Sequence, residues 1–128
     1  MTEGLEAITT AALGLALDAA SLRQQAIAAN IANADTEGYV PVKVSFEDQM
    51  EEAREALQCR GRLDASSLAG VQPRLESVAL DSRGLPAKVM LDLEVADMAA
   101  NGVQYQALIR GLSRQFAILS AAISDGKK

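Results

Sequence analysis

"LEAITTAALGLALDAASLRQQAIAANIAN", residues 5–33, decides the fold. Leu5, Ala12, Ala19, Ala26 and Asn33 share one heptad position, and Ile8, Leu15, Leu22 and Ala29 share the other. Steps of three and four residues are the mark of a helix packed lengthwise on a second helix. No proline interrupts the run, and its one glycine, Gly14, lies off the seam. A second stripe runs beside the first: Leu13, Leu17, Ala20, Ile27 and Ile31, with Gln24 in its middle. A surface helix needs one apolar face, and this one has more.

The other end of the chain repeats the device over residues 93–123. Val95, Gly102, Ile109, Phe116 and Ile123 take one seam position, and Met98, Tyr105, Leu112 and Leu119 take the other. Asp92 suits an N-cap and Glu94 a first turn. Gly102 suggests a close backbone approach. Each helix would be about 45 Å long at 1.5 Å per residue. Two such helices at opposite ends of one chain most simply pair antiparallel.

The middle, residues 37–91, follows other rules. "SFEDQMEEAREALQCR" (45–60) predicts a shorter helix, with Ser45 and Asp48 as a capping-box variant. Phe46, Met50, Ala53 and Leu57 form its apolar face. Residues 61–73 read as loop. "RLESVAL" (74–80) and "LPAKVML" (85–91) read as two strands joined by the turn "DSRG". The predicted fold class is mainly α. Long terminal helices form an antiparallel coiled-coil-like pair over 1–36 and 92–128. Between them, 37–91 is a small irregular region with a short helix and a β-hairpin.

Composition excludes much chemistry. The chain has 128 residues, 49% of them apolar and 3% aromatic, with no Trp. Such a core relies on Ala, Leu, Ile and Val, which favours closely packed helices. Net charge is −5, from 17 acids and 12 bases, which argues against nucleic acid as a partner. There is no His, so imidazole zinc sites and His-based triads are ruled out. Cys59 is single, so no internal disulfide forms. "AALGLAL" (11–17) has the apolar look of a signal core, but acids precede it and Asp18 interrupts it, so we expect neither a cleaved signal nor a membrane span. Asp35, Glu37 and Tyr39 lack a nucleophile, and Ser113 sits within a helical pattern. Glu51, Glu52 and Glu55 lack the Glu-x-x-His pairs of a di-iron bundle. No enzyme, cofactor or small-molecule substrate is expected.

The helix-to-turn junction, "ANIANADTEGY" (29–39), places polar residues in an apolar stripe. Asn33 falls on the seam, where a buried Asn fixes register at some cost in stability. Asn30 serves either a different neighbour or the helix end. Asp35-Thr36-Glu37-Gly38 suits a type I turn, or else Gly38 takes positive φ as the chain leaves the helix. Tyr39 would lay its ring on the helix with its hydroxyl on a polar partner. A capped helix end followed by an ordinary turn explains the same letters.

"SLRQQAIAANIANADTEGY" (21–39) resembles the N-terminal motif of the bacterial flagellar axial proteins, the rod, hook and hook-associated family. In that family the helix ends in Asn-Ile-Ala-Asn and a Thr-Pro-Gly-Tyr turn follows. "LDLEVADMAANGVQYQALIRGLSRQFAILSAAI" (91–123) is similar to the C-terminal helix of the B-type basal-body rod proteins. The likeness covers residues 20–46 and 90–123. Glu37 stands where the family has Pro, and Val40 where Lys is common; Pro41 restores some stiffness.

The resemblance implies a structural subunit that polymerises into the periplasmic rod of the flagellar basal body. Its terminal helices would line the tube, and export would use the flagellar type III apparatus without a cleaved signal. Implied partners are copies of itself, other rod proteins, and basal-body ring or export-gate components. A hairpin buries one seam from each helix, so the second stripe of the first helix should be left for neighbours. The expected assembly surface takes Leu13, Leu17, Ile27 and Ile31 from that stripe. It adds Asn30, Asn33, Gly38 and Tyr39 at the junction, and Met98, Tyr105, Ile109, Leu112, Phe116 and Leu119 from the second helix. A soluble coiled-coil adaptor or secretion chaperone would also explain both seams and the acidic middle helix, but not the paired terminal motifs.

Overall fold

In the computed structural model, which describes residues 2–60 and 68–127, the first apolar run forms α1, Thr2–Ala32. The chain then forms β1 (Val42–Ser45), α2 (Glu47–Arg60), β2 (Arg74–Ser77) and a last helix, α3, Leu91–Gly126. The terminal helices pack antiparallel. Asn30 of α1 reaches Glu94 of α3, Gln24 and Ala20 reach Asn101, and Leu13 lies beside Gly111. Positions on α1 fall as those on α3 rise. No helix among the described residues is long and apolar enough to cross a membrane.

Helix α3 starts earlier than Asp92. Met90 occupies the cap position without a side-chain cap bond, and its carbonyl accepts from the Glu94 N–H at 2.9 Å. Asp92 and Glu94 instead sit in the first turn, where their charge favours the positive end of the helix dipole. Gly102 has no heavy atom within 4 Å of where a Cβ would stand. The glycine at the helix contact is Gly111, whose absent Cβ would meet Leu13 Cδ2 at 3.7 Å.

Small side chains dominate what is buried. Ala19, Ala20, Ala26, Ile27, Val44, Ala53, Leu68 and Val71 form the core, joined by Asn30 and Asn101. Accessible surface totals 9021 Å². A compact monomer of 13.5 kDa exposes about 6500 Å², so the excess is about 2500 Å². The paired helices form a long, thin body whose interior is too shallow to shelter both helices.

The middle region departs from the predicted hairpin. Strand β2 lies within the stretch read as a strand, but it pairs antiparallel with β1, Val42 opposite Ser77 and Ser45 opposite Arg74. Residues 85–87 do return antiparallel on 79–81, with a bridge from Leu80 to Pro86 and the Ala87 and Asp81 N–H groups bonded to the Ala79 and Leu85 carbonyls, across the expected turn, whose Gly84 has φ 76°, but they form no further strand. That turn is organised by Asp81, whose carboxylate accepts from the Arg83 and Leu85 N–H groups and from the Arg83 guanidinium. These bonds hold the Asp81 carboxyl below its ordinary value of 3.8, the Arg83 side chain contributing most.

Ser45 belongs to β1 and caps nothing; the Met50 N–H bonds to the Phe46 carbonyl at 3.0 Å. Phe46, Met50 and Ala53 do face α1, across a cleft lined by Ala16, Ala19 and Arg23. Arg23 also pairs with Glu47. The side chain of Leu57 and residues 61–67 lie outside the described residues. Leu68 and Val71, read as loop, are buried.

Candidate functional site

The junction read as a polar puzzle is a fully satisfied hydrogen-bond node. Asn30 is 3% exposed. Its Nδ2 donates to the Val42 carbonyl at 2.9 Å and to Glu94 Oε1 at 3.3 Å. Its Oδ1 accepts from the Val42 N–H and from the Tyr39 hydroxyl, each at 2.9 Å. Both amide hydrogens and both lone pairs of the oxygen are used. The Val42 peptide offers one donor and one acceptor, which fixes the orientation of the amide. One side chain thus ties the end of α1 to the turn, to β1 and to the start of α3.

The turn between them is set by Gly38. Its φ is 74°, and the Tyr39 N–H bonds to the Thr36 carbonyl at 3.2 Å. Positive φ at the third of four residues only, with that bond, is a type II turn over Thr36–Tyr39. The type I reading over 35–38 is therefore replaced by its stated alternative, positive φ at Gly38. Tyr39 lands as expected, hydroxyl inward on Asn30.

Asn33 plays a local part. Its Nδ2 donates to the Ala29 carbonyl at 2.9 Å, and its Oδ1 accepts from Thr36 Oγ1 at 3.2 Å. It gives the Ala29 carbonyl a second donor beside the Asn33 backbone N–H. The buried asparagines are Asn30 and Asn101 instead. Asn101 is 4% exposed and donates to the Ala20 carbonyl and to Gln24 Oε1, both at 2.9 Å. Its own Oδ1 has no partner. The signal that would have found it is in the sequence: Gln24 and Asn101 each interrupt an apolar stretch of one terminal helix.

The second stripe of α1, expected to be left for neighbours, packs on α3. Leu13, Ala20, Gln24 and the buried Ile27 belong to the face turned to α3, and Leu17 and Ile31 share that stripe, half-buried. This stripe is therefore not left over within the chain. Of the heptad seam, Ala19 and Ala26 are buried, and the half-buried Ile8, Leu15 and Leu22 line an open groove with Leu68 and Val71.

A matching shift occurs on α3. Met98, Leu112 and Leu119 are half-buried, as one seam position requires, with Tyr105 at its edge. Their companions are Glu94, Asn101, Leu108 and Gln115, one residue before the expected Val95, Gly102, Ile109 and Phe116. Val95, Ile109, Phe116 and Ile123 consequently face outward, 54, 42, 54 and 62% exposed. They form a row one residue, or about 100°, around the helix from the seam.

Fold and site together define a class: a structural helical subunit whose two chain ends pair with each other, with an outward apolar row on α3 and an apolar groove along α1. Comparison with known proteins then makes this specific. The family model described as flagella basal body rod protein matches residues 12–39, which contain the whole Asn30–Tyr39 junction. The flagellar basal body rod protein FlgB of Bacillus subtilis (strain 168) is 32% identical over 116 residues, covering 88% of this chain and 90% of the Bacillus protein. The chain belongs to the flagellar basal body rod protein family.

Proposed function

We propose that this chain is a subunit of the proximal flagellar rod, and that it polymerises through the uncovered faces of its terminal helices. The observation that carries this is the outward row Val95, Ile109, Phe116 and Ile123, large apolar side chains on a heptad spacing that stay about half exposed. Water-exposed rows of this regularity mark partner surfaces. The neighbours are copies of this chain and other rod proteins, with basal-body ring or export-gate components at the ends of the array. Assembly lies in the periplasm after export by the flagellar type III apparatus, without a cleaved signal. A core that is half alanine suits that route, because little buried area must be exposed to unfold it.

The test is Ile109→Asp with Phe116→Asp. Both positions are exposed, so the purified chain should keep its helical content by circular dichroism. Recovery with isolated basal bodies, and swimming, should be lost. Normal motility with both aspartates present would overturn the proposal.

A further inference from the structure

We infer that the groove on α1 receives the outward α3 row of a second copy of this chain. The inference rests on the reading as a self-assembling rod subunit and names the contact that reading needs. The groove holds about 1060 Å³ and runs along Ile8, Leu15 and Leu22, with Leu68 and Val71 as its far wall. Its α1 residues lie about 140° around the helix from Leu13, Ala20 and Ile27, so the chain's own α3, packed on that other face, cannot enter it. Residues 61–67 contain one large apolar residue, Leu63, against three heptads of groove.

Period and charge both select α3. Ile8, Leu15 and Leu22 recur every seven residues, as do Ile109, Phe116 and Ile123, so side chains of one row can seat between those of the other along its length. Residues 1–22 carry Glu3, Glu6 and Asp18 and no Lys or Arg. Residues 98–124 carry Arg110 and Arg114 and no acid. Asp18 lines the groove, both arginines are exposed, and none of the three has an ion pair among the described residues. A basic flank on an apolar row thus meets an apolar groove with an acidic edge. Groove and row are different surfaces, so each copy offers one of each and the contact propagates.

The test uses two copies of the full chain, both Cys59→Ser. One carries Ser21→Cys on the groove; the other carries Ser113→Cys, between Ile109 and Phe116 on the row. After mixing and mild oxidation, the mixed disulfide should exceed either same-site disulfide severalfold. Asp18→Arg on the groove copy should cut the mixed product severalfold, and Arg110→Asp with Arg114→Asp on the row copy should restore it. Circular dichroism on each variant separates lost contact from lost fold. A mixed product no greater than the same-site products overturns the inference. So does an efficient bond between Ser21→Cys and Leu63→Cys within one chain, which would put the chain's own segment in the groove. Co-fractionation of the unaltered chain with basal bodies is scored separately. Co-fractionation without the mixed bond overturns this contact alone; the mixed bond without co-fractionation overturns the rod reading and keeps the contact.

Discussion

Asn30 pairs with Val42 as one strand pairs with its neighbour, donating a hydrogen bond to the carbonyl and accepting one from the N–H, both at 2.9 Å. A two-stranded ribbon is marginal by itself. Here the helix end supplies the next edge through a single amide, and Tyr39 and Glu94 close the remaining positions.

Asn30→Leu should therefore destabilise the chain more than any other junction substitution. It strands the Val42 peptide and the Tyr39 hydroxyl, at about 1–3 kcal/mol for each buried group left unpaired. Tyr39→Phe removes one of the four bonds and should cost about 1 kcal/mol. Asn33→Ala loses only bonds within its own turn and should cost less than Asn30→Leu. Urea melts of the three variants give the order; an equal or larger loss at Asn33 would contradict the geometry.

The turn gives a paired prediction of opposite sign. Gly38 has φ 74° with no heavy atom within 4 Å of a Cβ position, so Gly38→Ala costs backbone strain alone, about 1 kcal/mol. Glu37 precedes it at the position where a type II turn favours Pro. Glu37→Pro should stabilise by about 0.4–1 kcal/mol through the unfolded state. Thermal melts should move in opposite directions for the two.

Gly111→Ala should stabilise the chain by about 1 kcal/mol, because alanine is the better helix former. The new Cβ would stand 3.7 Å from Leu13 Cδ2, an ordinary contact. A lowered melting temperature would mean the helices sit closer than they do here.

The helices were legible in the sequence because their periodicity is long and unbroken. Which row faces which was less so, for a physical reason. Apolar periodicity reports every surface the chain will ever bury, including those buried by other molecules. On α3 the stronger row, Val95 to Ile123, points outward, while Glu94, Asn101 and Gln115 take the intrachain seam. On α1 the leucine seam likewise lines the groove, and the stripe containing Gln24 meets α3. Strand β1 was missed because it is four residues long and its partner lies some thirty residues away, beyond any local pattern. Tyr39 was placed correctly because a half-buried phenol needs a polar partner. Asn33 sits on the seam, where the periodicity predicts a register role, yet its bonds to Ala29 and Thr36 stay within its own turn.

Asn101 makes the intrachain seam specific rather than strong. It donates to Gln24 and to the Ala20 carbonyl, while its own Oδ1 is buried without a partner. Gln24→Leu alone should cost about 1 kcal/mol by removing an acceptor from a buried amide. Gln24→Leu with Asn101→Leu removes both amides and should recover that loss or exceed it, since an apolar pair of similar shape leaves nothing buried unsatisfied. The double variant should also tolerate sliding of α1 on α3, because the polar contact that penalises other registers is gone. Amide hydrogen exchange at the centre of α3 would then be faster than its stability implies.

The turn at Asp81 supplies the pH dependence. Its folded carboxyl sits below 3.8, held there chiefly by Arg83 and then by two backbone N–H groups. A depressed folded value means the charged form is favoured by folding, so this contribution is present above the unfolded value and lost as pH falls through the folded one. The turn between β2 and α3 should hold from neutral pH down to about 4 and loosen below it. Asp81→Asn keeps the side-chain shape but weakens the acceptor, so its turn should show little change across that same window. Chemical shifts of the Arg83 and Leu85 amides, followed from pH 6 to pH 2 in both proteins, read this directly: a titration in Asp81→Asn matching the parent would assign the loosening to another group.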